Sequence, residues 1–168
     1  MLDRLLDWID ARGGKREIPR DGKKYLTRYY VWRSKRLTVL IHKFWASDPD
    51  EPHDHPWHWI SYILRGGYFE HGVDGTVLER NRFKNRFLFR KAEEFHRVEV
   101  DPTYVAGDTT TLFITFRRRR SWGFLRGDKW LSAKTYDKEP VDIEGVHFKV
   151  VGHLFPRLVW AKPQTFLK

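Results

Sequence analysis

The chain has 168 residues, no cysteine and a formal charge of +10. Without thiols, disulfides, thiolate metal sites and a cysteine nucleophile are all excluded. A 40% hydrophobic share, with 16% aromatic residues, is the composition of a folded domain, and this length suits one domain with short appendages.

No apolar window is long enough to span a membrane. The stretch Met1–Arg12 interrupts its apolar residues with Asp3, Arg4, Asp7 and Asp10, unlike a signal peptide. The absence of cysteine fits a reducing compartment. A cytoplasmic protein with no membrane partner is expected.

In chain order, Leu2, Leu5, Leu6 and Ile9 form one apolar stripe at helical spacing and predict a short helix, stopped by Gly13-Gly14. Lys15 to Lys24 reads as a basic connector. From Tyr25 the chain becomes aromatic and β-branched. Strands are expected at Tyr25–Trp32, Leu37–Trp45, Trp57–Leu64, Gly67–His71, Thr76–Glu79, Arg86–Phe89, Arg97–Val100 and Thr110–Phe116. Turn residues separate them, with Asp74-Gly75 a hairpin signal. Trp122–Leu131 reads as a further strand or two around Arg126-Gly127-Asp128. The tail holds a strand at Val146–Val151, then Pro156 and Pro163. The expected organisation is a helix and connector over 1–24, an all-β barrel over 25–136, and a C-terminal extension over 137–168. That extension would pack on the barrel or on a neighbour, as in a homodimer.

Two basic clusters stand out, Arg117–Arg120 and a second comprising Arg80, Arg82, Lys84, Arg86, Arg90 and Lys91. Either a solvated surface or a phosphate-facing patch for nucleic acid would produce them. Glycine-rich phosphate loops, dinucleotide fingerprints and serine-esterase elbows are absent.

The chemistry concentrates at His53-Asp54-His55-Pro56-Trp57-His58-Trp59. Residues i and i+2 of a strand share a face, so His53 and His55 can aim two imidazoles into one cavity. Neutral imidazole is a common metal ligand. A third ligand must come from a strand remote in sequence, and His96 is the best candidate. The same alternation puts Trp57 and Trp59 on the cavity side, as a wall for a flat substrate or as barrel filling. Arg65 and Arg97 flank the motif ends as candidate anion-binding residues. His58 and Glu70 are candidates for a further ligand or a general base. Glu93 or Glu94 could orient an imidazole. Glu70 and His71 otherwise read as exposed strand ends, Asp54 as an outward turn cap, and His42, His147 and His153 as structural.

Pro52 to Gly66 resembles the first cupin motif, with His53, His55 and Gly66 in register. Ala92–His96 resembles the second, whose histidine is the last ligand. The resemblance runs from roughly Tyr25 to Trp130. It is nearest to small single-domain cupin-like proteins of phage and bacterial genomes, through His53–Pro56, Gly66–Tyr68, Phe95–Val98 and Trp122–Phe124. It implies a double-stranded β-helix (jelly-roll) barrel holding one divalent metal on His53, His55 and His96. Trp59 occupies the usual glutamate slot. A three-histidine set of this kind is similar to that of the thiol dioxygenases, which favours Fe(II), with Zn, Mn or Ni as alternatives. The implied function is a non-haem metal-dependent enzyme, oxygenase-like, acting on a small or nucleotide-like anionic substrate. A metal-free epimerase or isomerase and a basic binding protein for nucleic acid or a partner protein remain open.

Overall fold

The computed structural model describes residues 1–20, 22–48 and 51–136, with the backbone of 141–143 and 146–148. Helix α1 spans Leu2–Asp10 and buries Leu6 and Ile9. Gly13 (φ +68°) turns the chain out of it, and the Gly14 N–H donates to the Ile9 carbonyl at 3.0 Å. A Cβ on Gly14 would lie 2.6 Å from Ile9 Cγ2, so only glycine fits that turn.

The strands are β1 (Lys15–Arg20), β2 (Lys23–Arg33), β3 (Thr38–Phe44), β4 (Trp59–Arg65), β5 (Gly67–Gly72) and β6 (Val77–Asn81). They continue with β7 (Phe87–Arg90), β8 (His96–Val100), β9 (Thr110–Thr115), β10 (Gly123–Arg126) and β11 (Lys129–Ser132). Among the described residues, β12 (Val141–Ile143) also pairs antiparallel with β13 (Val146–Phe148). The expected tail strand is thus seen over Val146–Phe148. Its remainder, with Pro156 and Pro163, lies outside the described residues.

The expected connector contains a strand. Segment β1 pairs antiparallel with β2, from Lys15 opposite Tyr29 to Arg20 opposite Lys23, with a bulge at Ile18/Pro19. Charged residues, a proline and a bulge are what protect a sheet edge from further pairing, and here they masked the strand in the sequence.

Six strands form one antiparallel sheet in the order β1-β2-β3-β9-β4-β7, facing a three-stranded sheet β6-β5-β8. The hairpin β10-β11 adjoins the smaller sheet through His53, whose backbone bridges to His96 on one side and Phe124 on the other. The arrangement is an all-β jelly roll with a short N-terminal helix.

Alternation sorts the large sheet into two faces. Outward, Tyr29 and Ile41 pack with Leu6 and Ile9 of α1, joined by Leu64 and Leu112. Burying one such side chain stabilises by about 1.5–3 kcal/mol. Inward, Leu26, Phe44 and Ile63 meet Tyr68 and Val98 of the smaller sheet. Leu40, Trp59 and Phe113 form a second inward cluster. No helix among the described residues is long and apolar enough to cross a membrane.

The second basic cluster is divided: Arg82, Lys84, Arg86 and Lys91 are exposed, whereas Arg80 is buried and Arg90 half-buried. Arg80 has no exposed side-chain area. It donates to Ser61 Oγ at 2.6 Å, to the Tyr68 hydroxyl, to Glu70 Oε2 at 3.3 Å and to the Asn85 carbonyl at 3.0 Å. Arg90 donates to Glu70 Oε1 and to Glu94, each at 3.0 Å. Of the cluster, only these two arginines turn their charge to Glu70 inside the fold.

Candidate metal centre

His53 and His55 reach the barrel interior from the segment before β4, and His96 from the start of β8. Backbone bonds hold this segment against the β8 region. His53 N–H donates to the His96 carbonyl at 2.9 Å, His96 N–H returns the bond at 3.0 Å, and His55 N–H donates to Ala92 O at 3.1 Å. The imidazoles therefore converge, with one nitrogen of each lying within 4.8 Å of the others. His55 Nε2 and His96 Nε2 are 2.9 Å apart. Two nitrogens bound at right angles to one ion, about 2.1 Å from it, lie about 3 Å apart. The donor set fits a single divalent metal.

Burial lowers the His53 pKa to about 4, against the opposing pull of Asp48. Burial, then the neighbouring His53 and His96, push His55 well below its ordinary value. Both rings are neutral near pH 7, with lone pairs free for coordination.

Carboxylates stand behind two of the rings. His96 Nδ1 lies 3.3 Å from Glu70 Oε1, and His53 Nδ1 lies 3.8 Å from Asp48 Oδ2. Such partners direct the opposite ring nitrogen toward an ion. Burial alone would raise the pKa of Glu70. Contact with His96 and the nearby Arg80 and Arg90 hold it down to about 2 instead. Asp48 is itself fixed by the Val98 N–H at 2.7 Å and by the Tyr25 hydroxyl.

Several expectations are corrected here. Glu70 is 1% exposed and sits behind His96, so it is neither an exposed strand end nor placed to coordinate. It takes the orienting position considered for Glu93 or Glu94. His58 Nδ1 instead accepts the Ala92 N–H at 2.8 Å and stays apart from the three histidines. Arg65 and Arg97 do not line the cavity. Arg97 follows the inward His96, so alternation turns it outward to Glu99 at 2.9 Å. A bulge between Ile63 and Arg65 breaks the inward phase, and Arg65 pairs with Asp3 of α1 at 2.9 Å. Asp54 is fully buried, accepting from Gly123 N–H and Trp130 Nε1. His71 meets Glu99 at 2.8 Å. The His147 side chain and all of His153 lie outside the described residues.

A cavity of about 330 Å³ opens above the histidines, with Trp57, Trp59, Trp122 and Phe124 in its wall. Trp59 is 1% exposed, its ring centroid 5.1 Å from that of His96 and 5.3 Å from that of His55. An indole thus fills the slot where the cupin pattern carries glutamate. Two lining residues were missed or undervalued in the sequence. Arg28 and His42 both face this cavity, and the one available signal was their phase, Leu26-x-Arg28-x-Tyr30 and Leu40-x-His42-x-Phe44.

No protein-family model matches the sequence, and no curated protein matches it. Solved structures do. The polyketide cyclase RemF from Streptomyces resistomycificus aligns at 18% identity and TM-score 0.50, over 74% of this chain and 80% of that one. Fe(II) HppE aligns at 13% identity and TM-score 0.48, over 61% of this chain and 55% of that one. A cupin superfamily protein from Desulfitobacterium hafniense DCB-2 aligns at 15% identity and TM-score 0.45, over 61% and 84%. At such identities likeness speaks to fold alone. Strand order, the two facing antiparallel sheets and the alignment with RemF together give this chain the cupin jelly-roll fold.

Proposed function

We propose that the protein is a metal-dependent enzyme, oxygenase-like, that binds Fe(II) on His53, His55 and His96 and acts on a small anionic substrate. The observation that carries this reading is the convergence of three imidazole nitrogens, within 4.8 Å, on an open cavity. A bound divalent ion would supply a Lewis-acid centre with open positions and, if iron, access to oxygen chemistry. The three-histidine set, like that of the thiol dioxygenases the sequence resembles, motivates the choice of iron. It is neutral, so the ion would keep its full charge to attract an anion. Glu70, 3.3 Å from His96 Nδ1, is placed to orient that ring, and Asp48 stands 3.8 Å from His53 Nδ1. Trp57, Trp59 and Trp122 exclude water and provide flat apolar walls for the substrate body.

The test is elemental analysis after anaerobic loading with ferrous iron, wild type beside His96→Ala. About one iron per wild-type chain, lost in the variant, is expected. Wild-type protein that stays empty overturns the reading.

A further inference from the structure

Across the inner face of the six-stranded sheet runs a row of three polar side chains. Arg28 on β2 is in register with His42 on β3, and His42 with Thr111 on β9. All three line the cavity. The inward positions flanking them are Leu26, Leu40, Phe44 and Phe113, which belong to the apolar core.

Each member of the row carries an orphan. Arg28 Nε, His42 Nε2 and Thr111 Oγ1 are buried atoms without a hydrogen-bond partner. His42 is 5% exposed and Thr111 1%. Burial is the strongest influence on Arg28; it hydrogen-bonds the Tyr30 side chain, and no carboxylate is among its leading neighbours. Among the described residues no carboxylate pairs with it. Buried polar groups are ordinarily satisfied, and a buried cation ordinarily has an anion. Three adjacent exceptions, aimed into one cavity, mark a place where a ligand supplies the missing partners.

Their chemistry names that ligand. A guanidinium fork matches the two oxygens of a carboxylate, and hydroxyl and imidazole add neutral hydrogen bonds. One cation in the row balances one negative charge, and the aromatic walls suit an apolar body. The row also has a fixed relation to the histidines. The Phe113 ring is stacked on His42 at 4.6 Å between centroids, and its centroid lies 6.1 Å from that of His55.

We propose that Arg28, His42 and Thr111 form a carboxylate-binding subsite, so that the substrate is a small carboxylic acid with its other end toward His53, His55 and His96. The orientation rests on the metal reading; the carboxylate site itself does not.

Benzoate, phenylacetate and inorganic phosphate, titrated calorimetrically into metal-free protein, test the subsite. Wild type is expected to bind a carboxylate probe in preference to phosphate. Arg28→Met should weaken that binding at least about tenfold. Thr111→Val should weaken it about threefold and carries the test if Arg28→Met does not fold. Both variants should still load iron as wild type does. Unchanged binding in Arg28→Met, or in Thr111→Val where that variant carries the test, overturns the subsite. So does a wild type that binds neither carboxylate. Preference for phosphate overturns the carboxylate assignment. Carboxylate binding by a protein that takes no iron leaves the subsite standing and removes the metal reading alone.

Discussion

On β2, β3 and β9 the outward side chains Tyr29, Ile41 and Leu112 meet helix α1, whereas the inward Arg28, His42 and Thr111 meet a cavity. The same strands carry both sets, one residue out of phase. The outer face is closed by complementary apolar packing, while the inner row leaves three polar atoms without partners. A period of two lets a sheet put stability on one face and recognition on the other without compromise along the strand. Two inward arginines repeat the contrast. Arg80 is fully hydrogen-bonded and paired with Glu70, whereas Arg28 has no carboxylate partner among the described residues and leaves its Nε unsatisfied.

The largest effect is expected for Arg80→Met, which removes one partner of a pair with no exposed side-chain area. A loss of about 3–5 kcal/mol is expected in urea denaturation. A loss below about 1 kcal/mol would erase the contrast between the two arginines. Next comes Ile9→Ala, on the closed face, where Ile9 is 2% exposed. It should cost about 2–4 kcal/mol, with iron content of the folded protein unchanged. If iron falls as well, the two faces are not independent.

Glu70→Gln keeps the shape behind His96 but removes the charge. Metal affinity, read by competition with a chelator, should fall by about 10–100-fold. Unchanged affinity would make Glu70 a structural partner of Arg80 and Arg90 only. The smallest effect is expected for the stability of Arg28→Met. Losing a half-buried cation that has no carboxylate partner should shift unfolding by no more than about 1 kcal/mol, in the stabilising direction. A loss comparable to that of Arg80→Met would mean that Arg28 holds the fold.

Much was legible locally. The Leu2, Leu5, Leu6, Ile9 stripe, the aromatic strands between turn residues and the same-face spacing of His53 and His55 all depend on neighbours a few residues away. The strand β1 was not legible, because an exposed edge is written in charges and proline. Nor was the burial of Arg80 within an otherwise exposed basic cluster legible. A run of arginines looks the same in sequence whether or not a Glu70 waits across the barrel.

By itself, then, the sequence determined the all-β class and the shared face of His53 and His55, because helical and strand periods act within single segments; the jelly roll and His96 as third ligand were implied by the cupin resemblance. Only the tertiary structure decided that Glu70 and Asp48 stand behind the rings, that Arg65 and Arg97 leave the cavity, and that Arg28, His42 and Thr111 form one row inside it. Those outcomes depend on the register between strands far apart in the chain and on the bulge near Arg65. A one-residue change of register sends every side chain to the opposite face.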